Sequence, residues 1–293
     1  MISSSLQNAV QSFISEKTGI VVSSFEISII GGGSINQTYQ VLINRKEKFF
    51  CKINSAARFP QMFEKEKNGL ELLASKKIIR VPAVIGTFIK NDQQVLLLEW
   101  IDQGIKSGSF WTLFGEQLAA LHSMTCTYAG LDENNYMGAL TQSNHLSPDW
   151  IEFFIYQRLE PQIRLALDEK NLQPQHHKQF EKLYKALPGI FHPTNLALLH
   201  GDLWSGNFLC DHSGSPVLID PAVYHGHPAM DLAMTTLFGG FDALFYESYN
   251  RQLPFPSNYR QQWEICNLYP LLIHLNLFGK GYLQSILSTI RYY

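Results

Sequence analysis

A short polar stretch between two apolar runs constrains this chain most strongly. The run Leu196–Leu199 leads into His200–Asp202, and Asn207 follows five positions after Asp202. A second apolar run ends at Asp220. An aspartate and an asparagine at this interval, with a later aspartate after a strand-like run, indicate a site for phosphoryl transfer.

The chemistry of phosphoryl transfer suggests a role for each of these residues. One carboxylate must accept the proton of the attacking hydroxyl, and two oxygen ligands must hold Mg²⁺ against the phosphates of ATP. We predict Asp202 as the proton acceptor and Asn207 and Asp220 as the Mg²⁺ ligands. Residues 208–219 read as two short strands around a Ser-Gly turn, which would bring Asp220 back beside Asn207. Each residue alone could instead be a loop residue or a helix cap, and an inactive kinase would keep the same pattern.

Three strand-like runs, 26–30, 38–43 and 48–53, lie near the start of the chain after an amphipathic helical pattern. A glycine-rich loop joins the first two runs. Glycines let backbone N–H groups approach phosphate oxygens closely, so we predict nucleotide contacts from Gly31, Gly32, Gly33 and Ser34.

Lys52 lies between apolar neighbours in the third run and therefore needs an anionic partner. The phosphates of ATP could supply it. In kinases the strand lysine also pairs with a glutamate of the next helix, and here a helix beginning near Pro60 carries Glu64 and Glu66.

The run 94–100 is almost unbroken and predicts a strand buried on both faces. It ends at Glu99, Trp100 and Ile101, where we expect an interlobe hinge whose backbone binds adenine. The sequence therefore predicts an α+β, two-lobed, protein-kinase-like fold. We place a small N-terminal nucleotide-binding lobe with an antiparallel sheet at 1–102, and a larger, mainly helical catalytic and acceptor-binding lobe at 103–293.

Helical patterns dominate the second lobe. A helix is expected over 111–124, a loop-rich insertion over 125–148, and a helix kinked by Pro161 over 150–168. Only ten residues separate Asp220 from Asp231, too few for the activation segment on which protein kinases lay a peptide. A small-molecule acceptor is favoured. Pro221 replaces the mobile Phe of D-F-G and fixes φ, which predicts a constitutively competent site.

Composition narrows the class of partner. The chain has 293 residues, 45% hydrophobic content and a formal net charge of -2 without long single-sign runs, so neither nucleic acid nor a membrane is expected as a partner. The four cysteines are far apart and form no C-x-x-C pair, which is typical of a reducing cytoplasm. We expect a cytoplasmic protein, and the oligomeric state is left open.

Several stretches resemble the fructosamine kinase (ketosamine-3-kinase) family. They are Leu199–Asn207, Ile219–Tyr224, Gly226–Met234 and Leu237–Phe241, with further similarity at Met62–Glu64, Phe153–Phe154 and Leu275–Gly279. The similarity covers nearly the whole chain. The Trp-Ser-Gly inside the catalytic loop and the Asp-Pro-Ala after it separate this family from the aminoglycoside and choline kinases of the wider fold.

The resemblance implies ATP-dependent phosphorylation of a sugar-derived ketoamine at its 3-hydroxyl, on a small molecule or on a glycated protein lysine. The phosphorylated adduct is unstable and sheds the sugar, which is deglycation. The residue roles implied are Asp202 as proton acceptor, Asn207 and Asp220 as Mg²⁺ ligands, Lys52 and Glu66 as the phosphate-orienting pair, Glu99, Trp100 and Ile101 at the adenine, and His200 and Asp231 in support of the catalytic loop.

Contacts to the acceptor are harder to place. Trp204, Tyr224 and His227 are candidates because they lie beside the catalytic residues in the sequence. Bacterial members of the family look more like ribulosamine or erythrulosamine kinases than fructosamine kinases, and the sequence does not decide between them. The loop 31–36 contains no cysteine, so a disulfide switch there is not supported.

Three rival hypotheses stay open at this point. An aminoglycoside or choline kinase would share the fold, although aminoglycoside enzymes would be expected to carry more acidic residues around the acceptor. A metal-dependent hydrolase could use His200, Asp202, His225, His227 and Asp231, but no H-E-x-x-H or comparable ligand spacing occurs. A binding-only pseudokinase is disfavoured because Lys52, Asp202, Asn207 and Asp220 are all present.

Overall fold

The computed structural model describes residues 2–31, 35–191 and 195–293. Its N-terminal part contains helices α1 (Ser4–Thr18) and α2 (Met62–Ser75) and strands β1 (Phe25–Ile30), β2 (Gln37–Ile43), β3 (Glu47–Ser55), β4 (Val84–Lys90) and β5 (Gln93–Glu99). The strands form one antiparallel sheet in the order β1-β2-β3-β5-β4. Lys52 lies in the central strand of this sheet.

Both faces of β5 are buried. Alternate residues of β5 point to opposite sides, so Leu97 packs with α1 while Leu96 packs with α2. Helix α1 begins at a capping Ser3 side chain and ends at Gly19, whose φ of 73° is easily reached only by glycine. The prediction of a strand buried on both faces agrees with this arrangement.

The C-terminal part is mainly helical. Its helices are α3 (Gly108–His122), α4 (Trp150–Phe153), a π-helical segment (Phe154–Leu159), α5 (Glu160–Asp168), α6 (Pro174–Ile190), α7 (Ala229–Leu237), α8 (Ala243–Gln252), α9 (Tyr259–Cys266), α10 (Leu268–Phe278), a 3₁₀ turn (Lys280–Tyr282) and α11 (Leu283–Ile290). Its short strands are β6 (Thr125–Cys126), β7 (Asn135–Met137), β8 (Leu140–Gln142), β9 (Leu196–Leu199), β10 (Phe208–Cys210), β11 (Pro216–Leu218) and β12 (Tyr224–Gly226).

The site-bearing loops are positioned by β9 and by the hairpin of β10 and β11. All four residues of β9 are buried, and the strand lies between β12 and β6. The hairpin pairs Phe208 with Leu218, as the Ser-Gly turn predicted. Because β10 follows Asn207 and β11 precedes Asp220, this pairing returns the chain to the same place.

The structure adds detail to two local predictions. The loop-rich insertion 125–148 contains β6 and the β7–β8 hairpin, and the predicted helix over 150–168 contains a π-helical segment that ends at Leu159, two residues before Pro161. The hairpin lacked an apolar pattern because its buried residues include Asn135 and Gln142, which are satisfied by side-chain hydrogen bonds. A boundary between residues 102 and 103 stays a prediction. None of the helices in the described ranges has the length and apolar content that a bilayer crossing needs.

Candidate active site

The loop after β9 is fixed by Asp231 in the first turn of α7. Its carboxylate accepts the backbone N–H groups of His200 at 2.7 Å and Gly201 at 2.8 Å. His122 lies 3.3 Å from the same carboxylate, and Tyr249 contacts the other nitrogen of that ring at 2.9 Å. Burial raises the pKa of Asp231, but its hydrogen bonds and the nearby histidines outweigh that effect and lower it. Asp231 therefore stays ionised and holds the loop.

The ring of His200 joins this loop to the end of β11. Its Nε2 donates to the carbonyl of Ile219 at 2.9 Å, and its Nδ1 accepts the N–H of Asp202 at 3.2 Å. This pattern needs a neutral ring, and burial lowers the pKa of His200 accordingly. His200 thus fixes the backbone positions of Asp202 and Asp220 relative to each other.

Gly201 occupies the position that holds an arginine in H-R-D loops. Its φ is 81°, and a Cβ there would lie 2.1 Å from the carbonyl oxygen of Ala222. The close approach belongs to a backbone hydrogen bond in which Ala222 donates to the carbonyl of His200 at 2.9 Å. Only glycine fits this crossing of the two segments.

Asp202 and Asn207 contact each other directly. The Asn207 amide nitrogen donates to Asp202 Oδ2 at 2.8 Å and to the Asp202 carbonyl at 2.9 Å. The amide oxygen of Asn207 is thereby turned away from Asp202. Desolvation and the nearby Asp220 raise the pKa of Asp202 to about 7. A carboxylate tuned in this way is suited to accept a proton near neutral pH.

Asp220 follows β11 and has a φ of 54°, which is uncommon for a residue with a side chain. The backbone N–H of Ile219 donates to the carbonyl of Asn207 at 3.0 Å, so the two predicted metal ligands lie on adjacent backbone segments. Asp220 Oδ1 lies 2.7 Å from Lys52 Nζ. The structure therefore brings together the residues that the sequence spaced 168 positions apart.

Lys52 is 2% exposed and is shared by two carboxylates. Its ammonium lies 2.7 Å from Glu66 Oε1 as well as from Asp220. Burial alone lowers the pKa of Lys52, but the two carboxylates outweigh it and raise the pKa above its ordinary value. Glu66, rather than Glu64, is the helix partner. Glu64 instead contacts Lys67 and Thr87.

A cleft of about 470 Å³ joins these groups. Its described lining includes Lys52, Glu66, Asp202, Asn207, Asp220 and Trp204. Sequence reasoning missed further lining residues, among them Ile35, Lys65, Asn135, Tyr136, Met137, His274, Leu277 and Phe278. The resemblance at Leu275–Gly279 was the nearest signal for the last of these. His274 was hidden inside an apolar helical run.

Two predicted acceptor contacts are corrected. Tyr224 is fully buried, with its ring 3.9 Å from the Arg158 guanidinium, because the alternation along β12 turns it into the core. His227 is 7% exposed and packs against Trp150 and Phe191. Neither residue lines the cleft. Trp204 does, and it packs edge-on against Phe238.

The structure describes only some of the residues that were predicted to contact the nucleotide. Gly31 is exposed, whereas Gly32, Gly33 and Ser34 lie outside the described residues. The Glu99 carboxylate pairs with Arg80 and accepts the N–H of Ala83 at 3.0 Å. Glu99 is the last residue of β5, and Trp100 and Ile101 follow it on the way to α3. All three are absent from the described lining of the cleft.

The sequence profile described as fructosamine kinase matches residues 6–293. The chain belongs to the fructosamine kinase family. A probable ketoamine kinase of Synechocystis is 40% identical over 279 residues, covering 95% of this chain and 93% of that protein. The chloroplastic protein-ribulosamine 3-kinase of Arabidopsis thaliana is 35% identical over 270 residues, covering 90% of this chain and 81% of that protein.

Solved structures agree with the family and the fold. A candidate fructosamine-3-kinase from Thermobifida fusca is similar with a TM-score of 0.86 and 32% identity, covering 97% of this chain and 98% of that one. An amicoumacin kinase, solved with AMP-PNP and Ca²⁺, shares the fold with a TM-score of 0.55 and 12% identity, over 97% of this chain and 94% of that one.

These comparisons decide among the rival hypotheses. The predicted family, the α+β kinase-like fold and the assignment as a phosphotransferase are confirmed. The matching profile is that of the fructosamine kinases, and the relatives named above are kinases rather than hydrolases. No cluster of three or more His, Cys, Asp or Glu side chains able to hold a metal ion occurs among residues 2–31, 35–191 and 195–293.

Proposed function

We propose that this fructosamine kinase family member transfers the γ-phosphoryl group of ATP to the 3-hydroxyl of a sugar-derived ketoamine. The relatives named ketoamine kinase and protein-ribulosamine 3-kinase support the substrate class. The structural observation that carries the proposal is the buried Lys52, which lies 2.7 Å from both Glu66 and Asp220 in one cleft with Asp202 and Asn207.

Lys52 and Glu66 form the proposed phosphate-orienting pair. A buried ammonium with a raised pKa presents a permanent positive charge to the phosphates, and Glu66 fixes its direction. Nucleotide contacts from Gly31, Gly32, Gly33 and Ser34 stay part of the proposal, as does an adenine contact from the backbone of Glu99 to Ile101. The contacts of Glu99 with Arg80 and Ala83 leave its side chain occupied, so any adenine contact there falls to the backbone.

The donor chemistry at Asn207 and Asp220 fits Mg²⁺. Both offer hard oxygen atoms, and the amide nitrogen of Asn207 is already committed to Asp202. With only two side-chain ligands, the remaining coordination would come from ATP oxygens and water. When bound, the ion supplies neutralisation of phosphate charge.

Asp202 is the proposed proton acceptor. Its raised pKa allows it to take the proton of the substrate hydroxyl at about neutral pH, and Asn207 holds the carboxylate in place. Asp231 and His200 fix the loop that carries Asp202. The hydroxyl oxygen then attacks the γ-phosphorus, and ADP leaves.

The acceptor wall is aromatic and apolar. Trp204, Tyr136, Phe278 and His274 are among the residues that line the cleft. His274 Nδ1 donates to the carbonyl of Pro270 at 2.7 Å, which leaves Nε2 as a hydrogen-bond acceptor for a sugar hydroxyl. Burial lowers the pKa of His274 and keeps this ring neutral.

The acceptor is a ribulosamine, erythrulosamine or fructosamine carried by an amino acid or by a protein lysine. Phosphorylation would destabilise the adduct and release the sugar, which is deglycation. A cytoplasmic location, without nucleic acid or membrane partners, stays a prediction.

ADP release with Mg-ATP tests the proposal against ribuloselysine, erythruloselysine, fructoselysine, kanamycin and choline. We expect turnover on at least one ketoamine and none on kanamycin or choline. Asp202→Asn should abolish it. Asp149→Asn is the matched control, because Asp149 caps α4, is absent from the described lining of the cleft, and asparagine is an equally good cap. Turnover on kanamycin or choline alone would contradict the proposed substrate class.

A further inference from the structure

The β7–β8 hairpin and its flanks, residues 133–144, are called the brace below, and residues 135–138 of the brace line the cleft. The brace is anchored to α2, the helix that carries Glu66. Glu133 contacts Lys65 Nζ at 2.5 Å and accepts the amide of Asn68 at 2.8 Å. The Tyr136 hydroxyl donates to the carbonyl of Pro60, just before α2, at 3.0 Å. The helix is therefore tied to the C-terminal part through three side-chain contacts.

The same brace holds the segment that follows Asp220. The Asn135 amide donates to the carbonyl of Val223 at 2.8 Å, and the Gln142 amide donates to the carbonyl of Ala222 at 3.0 Å. The two amides also contact each other at 2.8 Å. Both side chains are buried, so these hydrogen bonds are shielded from competing water.

A buried arginine stabilises the brace from behind. Arg158 is fully buried and donates to Asn144 Oδ1 at 2.7 Å and to the carbonyl of Ser143. Its guanidinium has no carboxylate partner among the described residues and lies over the rings of Tyr224 and Phe153. Such a cation is costly to bury unless its hydrogen bonds are kept, so it resists displacement of residues 143 and 144.

The two anchored elements also touch each other. A Cβ at Gly69 of α2 would lie 3.1 Å from Val223, so the helix and the segment after Asp220 pack without a gap. The brace contacts both α2 and the segment after Asp220 near the place where they pack together. A shift of the brace would disturb its contacts with α2, which carries Glu66, and with the segment that follows Asp220.

We propose that the brace is a positioning element that fixes both carboxylates that contact Lys52, those of Glu66 and Asp220. Glu133 acts through α2 on Glu66, and Asn135 and Gln142 act through the backbone of residues 222 and 223 on Asp220. The catalytic arrangement is thereby assembled without a mobile activation segment. This inference rests on the proposed function, in which Lys52 and Asp220 orient the ATP phosphates.

The link between the brace and α2 can be broken from either side. Glu133→Ala removes the carboxylate, and Asn68→Ala removes one donor from the helix without changing charge. Neither residue lines the cleft. We expect each variant to raise the Kd and the KM for Mg-ATP by about tenfold, because small misplacement of a positioning group is costly, with the KM for the ketoamine nearly unchanged. The double variant should lose little more than Glu133→Ala, since both changes break one link.

Lys67→Met is the control. Lys67 lies two residues from Lys65 on α2 but pairs with Glu64 of its own helix. It should leave Kd and KM unchanged, with melting temperatures recorded for every variant. Unchanged Mg-ATP affinity in both link variants would overturn the proposal, as would an equal loss in Lys67→Met. Tighter binding in Glu133→Ala alone would also overturn it, and would instead assign Lys65 to the phosphates.

The Kd for Mg-ATP is measured with a fluorescent ATP analogue and no acceptor. A wild-type protein that binds Mg-ATP but turns over no ketoamine refutes the proposed function and still leaves the brace testable. If Glu133→Ala unfolds below the assay temperature, Asn68→Ala decides the outcome.

Discussion

The ammonium of Lys52 lies 2.7 Å from Oδ1 of Asp220. This contact joins the central strand of the first sheet to the end of β11. Because Glu66 approaches the same ammonium at 2.7 Å, one buried cation fixes two carboxylates from different elements. The proposed nucleotide and metal sites are therefore a single electrostatic unit.

Removal of the cation should destabilise the fold as well as abolish activity. Lys52→Met leaves Glu66 buried without its counter-ion, and we expect a loss of about 3 kcal/mol in the free energy of unfolding. Adding Glu66→Gln removes the stranded charge and should restore part of the stability, but not ADP release. Urea denaturation of both variants checks this. Equal stability of Lys52→Met and the wild type would contradict it.

Asp231 should matter for both the loop and the rate. Asp231→Asn offers one acceptor oxygen where His200 and Gly201 need two, so one buried N–H loses its partner. We expect about 2 kcal/mol of destabilisation, measured by urea denaturation, and a lower kcat. Asp149→Asn serves again as the control. A stable Asp231→Asn protein with full activity would contradict this role, because the loop after β9 would then keep its conformation without the Asp231 carboxylate.

A comparison of Gly201→Ala with Gly19→Ala distinguishes the stability lost to steric overlap from the stability lost to backbone strain. Gly201→Ala would meet the carbonyl of Ala222 at 2.1 Å, whereas Gly19→Ala has a similar φ of 73° and nothing within 4 Å. Gly19→Ala should cost about 1 kcal/mol from strain alone. Gly201→Ala should cost clearly more and reduce ADP release. Thermal unfolding compares the two, and equal losses would contradict the steric argument.

The pH dependence should follow Asp202. Only the ionised carboxylate can accept a proton, so kcat/KM should fall about tenfold per pH unit below the raised pKa of about 7 and level off above it. The assay is ADP release between about pH 5 and about pH 9, with saturating Mg²⁺. A profile flat across that range would contradict the assigned base.

The same pKa has a stability consequence of definite sign. The folded pKa of Asp202 lies above the ordinary value of 3.8, so the folded state binds more protons than the unfolded state between about pH 4 and about pH 7. The contribution of Asp202 to stability is therefore lost as the pH rises through this window. Asp202→Asn should flatten that part of the pH profile of the urea midpoint.

The sequence predicted the parts of the site that have fixed spacing. The interval from Asp202 to Asn207, the hairpin before Asp220 and the lysine inside an apolar strand each carry a local pattern, and the structure brings these residues together. Choosing Glu66 over Glu64 needed the resemblance to the family, because both lie on the same helix.

The other features of the site lacked such a local sequence pattern. Tyr224 was near the site in the sequence, but strand alternation turned it into the core. The brace is built from polar residues buried through hydrogen bonds, which leave no hydrophobic period to detect. The contact between Glu133 and Lys65 spans 68 positions, so only the tertiary fold could reveal it.

The most direct test of the account is the position of the phosphate on the product. The protein is incubated with Mg-ATP and ribuloselysine, and the product is followed by ³¹P and ¹H NMR for the wild type and Asp202→Asn. The account predicts a phosphate ester at the 3-oxygen of the ketoamine, formed only by the wild type. A phosphate at another position, or equal product from Asp202→Asn, would contradict it.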